Sequence, residues 1–232
     1  MLGFLNTDEK NEAVEKLLAL LSTDADRLFS AMERAIVRNT LTEEGSACMQ
    51  TEQRAVTSFA KSVLERLALL ETRLPERHSL FRDREDSVRM YRAIIPFLSA
   101  LDEQIKRFRA AILSLSMLRE RVLRANMELM RLEWYCRALL QHKEASIYRV
   151  VLEQLLSQAV QSVKRQRELA TEIEKRSTAW RSFDCDVILP FLEKMRTCSD
   201  AKHGGVACDC TGVVVLLGEL KRETGKLIRV VL

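Results

Sequence analysis

Residues 94–140 read IIPFLSALDEQIKRFRAAILSLSMLRERVLRANMELMRLEWYCRALL, and this stretch decides the fold. Its apolar residues form the series Ile94, Phe97, Leu101, Ile105, Phe108, Ile112, Leu115, Leu118, Val122, Ala125, Leu129, Leu132, Cys136, Leu139, in steps of three and four. Thirteen steps cover 45 residues, a mean of 3.46. That period keeps one stripe of a helix facing a partner and matches the 3.5 of a left-handed coiled coil better than the 3.6 of a straight helix. Pro96 falls inside the pattern, where it should kink the helix or mark the start of its long arm.

Moving outward, Phe97 to Leu189 contains neither glycine nor proline. A single helix of that length would span about 140 Å, so the segment is expected to fold back once. The returning arm carries Val151, Leu155, Ala159, Val163, Ala170, Ile173, Trp180, Val187, Phe191 and Met195 at helical spacing, with Gln166 and Ser177 interrupting the stripe. The turn belongs near Gln141 to Ser146, a polar patch ending in a residue able to cap the next helix. Pro190 should kink the second arm as Pro96 kinks the first.

Upstream, Thr7 starts a first helix with apolar face Val14, Leu17, Leu18 and Leu21. Ser22 and Thr23, before Asp24 and Asp26, start a second with Leu28, Met32, Ala35 and Ile36, and Gly45 is expected to end that segment. A third runs from about Thr51 to Leu74 on Val56, Phe59, Val63, Leu67 and Leu70, stopped by Pro75. Downstream of Cys198 the chain turns to Ser, Asp, Gly-Gly and close cysteines. The runs Val213 to Val215 and Leu227 to Leu232 then read as short strands or as a helix and a tail, so the last 30 residues are expected to be the least helical. Residues 1–50 are thus N-terminal helices, 51–197 a long-helix coiled-coil domain, and 198–232 a Cys/Gly loop with an apolar end.

Composition agrees. The 232 residues include 7 glycines and 3 prolines, where average usage gives about 16 and 12, and folds rich in turns need those residues. The fold class is all-α: an elongated antiparallel coiled-coil bundle with long kinked helices. No run of 18 apolar residues could cross a bilayer. Met1 to Lys10 lacks the basic start and apolar stretch of a signal peptide, so the chain is expected in the cytoplasm with its six cysteines as thiols.

Catalytic constellations are almost missing: three histidines, no phosphate-cradling glycine loop, no nucleophile elbow and no His-Glu-x-x-His. A non-enzymatic protein without a cofactor is expected. One local oddity is Cys198, His203, Cys208 and Cys210 around Gly204-Gly205, the ligand types of a tetrahedral zinc site. It lacks a Cys-x-x-Cys knuckle, and incidental thiols in a loop are the preferred reading.

The net charge is +4, with 37 basic and 33 acidic residues, and the basic excess is central, 14 against 9 in residues 76–143. If the hairpin turns near residue 143, Arg119, Arg121 and Arg124 lie beside Arg167, Arg165 and Lys164. By the same rule Lys106, Arg107 and Arg109 lie level with Lys175, Arg176 and Arg181, and Arg137, Lys143 and Arg149 gather near the tip. Glutamates 120, 168, 172 and 174 are interleaved, as on any solvated helix face. Aromatics are not interleaved, which disfavours stacking on single-stranded nucleic acid.

This layout resembles a BAR domain of the sorting-nexin type over residues 51–197. The resembling features are a helix ending at Pro75, a Pro-kinked arm with Leu118-Arg119-Glu120-Arg121-Val122-Leu123 followed by Trp134-Tyr135 and Leu139, and a return arm ending in Trp180-Arg181-Ser182-Phe183 and Phe191-Leu192-Glu193. The resemblance implies a crescent homodimer that binds and bends anionic membranes through rows of Lys and Arg, peripherally on an endosomal or other intracellular membrane. The rival expectation is a coiled-coil scaffold or tether that binds partner helices without lipid contact. A zinc-containing adaptor stands third.

Overall fold

The computed structural model describes residues 7–72, 84–201 and 210–231. Every element among them is helical: α1 Thr7–Thr23, α2 Ala25–Asn39, α3 Thr42–Glu71, α4 Arg84–Leu140, α5 Arg149–Phe183, α6 Leu189–Ala201 and α7 Cys210–Val231. A 3₁₀ segment, Lys143–Tyr148, joins α4 to α5, and a π-helical segment, Asp184–Ile188, joins α5 to α6. Contacts group the chain into two compact units, each discontinuous in sequence: Met1–Ala47 with Leu118–Glu172, and Cys48–Met117 with Ile173–Leu232.

The stripe on α4 is core almost throughout. Thirteen of its fourteen residues are buried and Leu132 is half-buried. In the first unit its Leu129, Cys136 and Leu139 pack with Leu28, Met32 and Ile36 of α2 and with Leu152, Leu155, Ala159 and Val163 of α5. In the second, Phe59 of α3 stacks on Phe108 of α4 at 4.6 Å between ring centres, and Phe183 meets both edge-on at 6.4 and 5.8 Å. Such pairs add directionality to the area they bury.

Local chemistry sets the breaks. Ser22 and Thr23 do not cap α2; their hydroxyls donate to the Ala19 carbonyl at 2.8 and 3.0 Å, closing the end of α1. Asp24 takes the N-cap and accepts the Arg27 amide at 3.0 Å, satisfying one of the orphan donors of α2. At the far end Thr40 is extended, its hydroxyl donating to Ile36 O at 2.8 Å, and α3 begins two residues later.

Gly45 therefore does not end a segment. It lies in the second turn of α3, which starts nine residues before the expected Thr51. The glycine is needed for closeness: a Cβ there would stand 2.5 Å from Leu169 Cδ2 of α5. Gln166 and Ser177, the two interruptions of the α5 stripe, are buried with it. Gln166 Nε2 donates to the carbonyl of Asn39, the last residue of α2, and so serves as a cap supplied from another helix. Val151, placed on the apolar face by spacing, is 39% exposed while Leu152 is fully buried, so the stripe enters α5 one residue later than expected.

Pro190 has no amide to donate and its ring crowds the carbonyl four residues back. The π-helical turn just before it widens the helix, with Leu189 N–H bonded to Asp184 O, and the chain continues as α6. Pro96 lies inside α4, which is helical on both sides of it.

Of the two readings of the C-terminal runs, the structure shows helix rather than strand, and one helix takes in both runs up to Val231. Cys210–Val231 is a 22-residue helix packed on α6 and the π segment, burying Val213, Leu217, Leu220, Thr224 and Leu227 at steps of four and three. The three consecutive valines and two internal glycines mask that period in the sequence.

Candidate functional site

The turn between α4 and α5 falls where the polar patch placed it, at Gln141–His142, and the 3₁₀ segment then presents Ile147, 80% exposed, with Val150 at 78% in the first turn of α5. Two nearly bare β-branched side chains lie beside the exposed Lys143 and Arg149. Tyr148 between them turns inward and meets Phe29 of α2 edge-on at 5.4 Å, which anchors the segment to the first unit. The sequence signal was available: Ile147 and Val150 are apolar yet off the buried stripe.

Of the proposed basic bands, most members have partners. Arg121 pairs with Glu44 of α3 at 2.7 Å, Arg124 with Glu120, Lys106 with Asp102, Arg107 with Glu103, Arg137 with Glu133 and Arg149 with Glu153. The Asp102 carboxylate holds the Lys106 ammonium above its usual range, and Glu153 does the same for Arg149. These pairs are solvent-exposed and weak. Arg109 differs: its Nε donates to both oxygens of Asp184 at 3.0 Å, tying α4 to the π segment, with the carboxylate mostly covered. Arg176 donates to Gln53 and Arg181 to Ser116 Oγ. Lys143, Lys164, Arg165 and Lys175 are exposed and form no ion pair among the described residues.

The register of the arms differs from the expected one. Arg167 was set beside Arg119; its Nη2 instead meets Met130 Sδ, eleven residues or about 16 Å further along α4. The cause is the 3₁₀ segment, which moves the centre of the turn toward α5. Lys164 and Arg165 are therefore not brought beside Arg124 and Arg121.

His203 and Cys208 of the possible zinc set lie outside the described residues, as do the side chains of Cys198 and Cys210. Among the described residues no group of His, Cys, Asp or Glu has metal-binding geometry, and Cys48, Cys136 and Cys185 are free thiols. Burial pushes the Cys136 thiol up to about 11. No helix is long and apolar enough to cross a membrane among those residues.

Comparison with protein-family models, with curated proteins and with solved structures finds no match.

Proposed function

We propose that the chain is a non-enzymatic helical protein that binds anionic membranes peripherally, as a BAR-like homodimer. The observation that carries this reading is the turn after α4, where Ile147 and Val150 stand bare in water beside Lys143 and Arg149. Withdrawing an aliphatic side chain from water is worth about 1.5–3 kcal/mol. Each Lys or Arg at an anionic surface adds about 1 kcal/mol, within a Debye length of about 8–10 Å. Two inserted side chains and a few bases suffice for reversible association; Arg149 is paired with Glu153, whereas Lys143, Lys164, Arg165 and Lys175 carry charge that no ion pair among the described residues offsets.

Cosedimentation with phosphatidylserine-containing vesicles tests the reading. Wild type should bind at low salt and release as salt rises, and Ile147→Glu with Val150→Glu should abolish binding without loss of helicity. No binding by wild type at low salt would refute it.

A second reading is favoured by Leu113 and Met117, each 62% exposed, one turn apart on α4 and on the side away from the buried Leu115. A stripe of this kind suits a scaffold whose seam takes a partner helix. In that case Leu113→Asp with Met117→Asp removes the partner while vesicle binding is nil in both proteins.

A further inference from the structure

Where the end of α2 meets α4 in the first unit, the surface holds a cleft of about 340 Å³. Three arginines line it: Arg38, from the last turn of α2, and Arg121 and Arg124, from successive turns of α4. They arrive from parts of the chain more than 80 residues apart, so no sequence motif announces them. Arg38 is exposed and forms no ion pair among the described residues. Arg121 and Arg124 are held by Glu44 at 2.7 Å and Glu120 at 3.4 Å, both as exposed pairs that cost little to loosen. The acid on the wall, Glu128, is engaged by Arg131 at 3.0 Å. The remaining wall is Asn39 together with the apolar Leu41, Ala125 and the 43%-exposed Met127.

We propose that this cleft binds a small ring polyol carrying phosphomonoester groups. A phosphomonoester carries about 1.5–2 negative charges and three acceptor oxygens, and the planar fork of each arginine fits two of them at once. Three arginines around one cleft can engage more than one phosphate once the exposed pairs to Glu44 and Glu120 loosen, and Leu41, Ala125 and Met127 offer the C–H face of a ring a contact that a bare ion does not use. The volume is at the low end of the range for ligand pockets, about 300–1,000 Å³, and suits one ring with its phosphates. The phosphate can belong to a lipid headgroup or to a free inositol phosphate. The inference goes beyond the membrane reading, whose residues Ile147, Val150 and Lys143 do not line the cleft.

The test is calorimetric titration of the full chain with inositol trisphosphate and with inorganic phosphate, alongside vesicles of phosphatidylserine with and without bisphosphorylated phosphatidylinositol. The trisphosphate should bind at one site per chain, with inorganic phosphate about tenfold weaker or worse. Arg38→Gln and Arg124→Gln should each weaken the trisphosphate by about tenfold or more, the scale of one charge-assisted bond. Lys164→Gln with Arg165→Gln should leave it unchanged, and circular dichroism should report intact helices in every variant. Vesicle binding strengthened by the phosphoinositide and dependent on Arg38 identifies the lipid headgroup; trisphosphate binding without any vesicle binding identifies a free ligand and removes the membrane reading alone. The inference is overturned if the trisphosphate gives no saturable binding, if Arg38→Gln and Arg124→Gln bind as wild type does, or if the Lys164/Arg165 variant loses as much as they do.

Discussion

Gly45 and Leu169 occupy one space between them. A methyl group at Gly45 would lie 2.5 Å from Leu169 Cδ2, so Gly45→Ala sets a helix-propensity gain of about 1 kcal/mol against overpacking of about 1–3 kcal/mol. The expected net effect is a loss of about 1 kcal/mol. Leu169→Ala alone should cost about 2–5 kcal/mol through its cavity. In the double variant the new methyl fills part of that cavity, so chemical denaturation should show the pair costing clearly less than the sum; strict additivity would mean that the two residues do not compete. Gln166 poses the opposite case, an amide inside an apolar stripe. Gln166→Met raises hydrophobicity yet strands the Asn39 carbonyl, and should destabilise by about 1–3 kcal/mol. At Cys136 burial favours the neutral thiol. Above pH 9 an unfolded chain ionises this cysteine and the folded one does not, so the unfolded state binds fewer protons and stability falls as pH rises from 9 to about 11. Cys136→Ala should flatten that part of the stability–pH curve, and mass spectrometry after brief alkylation at neutral pH should find Cys185 labelled and Cys136 spared.

On α4, burial alternates so sharply that neighbours of one residue type separate. Leu115 is fully buried and Leu113 is 62% exposed. Leu115→Ala should cost about 2–5 kcal/mol and Leu113→Ala less than about 0.5 kcal/mol, as read from thermal unfolding; equal effects would mean that the stripe does not face a core. This helix was the most legible element, because fourteen apolar positions at one period leave a single face to bury. α7 was the least legible. Val214 and Val215 carry β-branched side chains off its buried stripe, and Gly218 and Gly225 sit where propensity argues against a helix. Packing on α6 and the π segment overrides that propensity. Neither glycine has a neighbour within 4 Å of an added Cβ, so Gly218→Ala and Gly225→Ala should each stabilise by up to about 1 kcal/mol. The candidate site divides in the same way. That most of these bases face solvent follows from their positions off the stripe, and i,i+4 pairs such as Lys106–Asp102 follow from helical spacing, whereas the Arg121–Glu44 pair, the shift of register and the arrival of Arg38 beside Arg121 and Arg124 depend on tertiary packing, which periodicity does not encode.

For the whole molecule, the seven α-helices hold 189 of the 206 described residues, and far-UV circular dichroism of the chain should report about four fifths helix or more. So high a helix content leaves function to exposed side chains, and among the apolar ones two chemically distinct sets bear on the two readings. Ile147 and Val150 are apolar and lie at a turn, where insertion into a lipid surface needs no matching partner helix. Leu113 and Met117 repeat at helical spacing within α4, which is what a second helix can read. The BAR-like homodimer uses both sets, the scaffold only the second. Sedimentation velocity across a wide concentration range therefore separates them when combined with vesicle binding. In the homodimer, Leu113→Asp with Met117→Asp should convert a dimer to a monomer and weaken vesicle binding, because two copies no longer bring their turns to one surface. Ile147→Glu with Val150→Glu should abolish vesicle binding and leave the dimer intact. A wild-type protein that stays monomeric at every concentration, or a tip variant that loses the dimer together with the vesicles, would show that the two sets of side chains do not divide the work in this way.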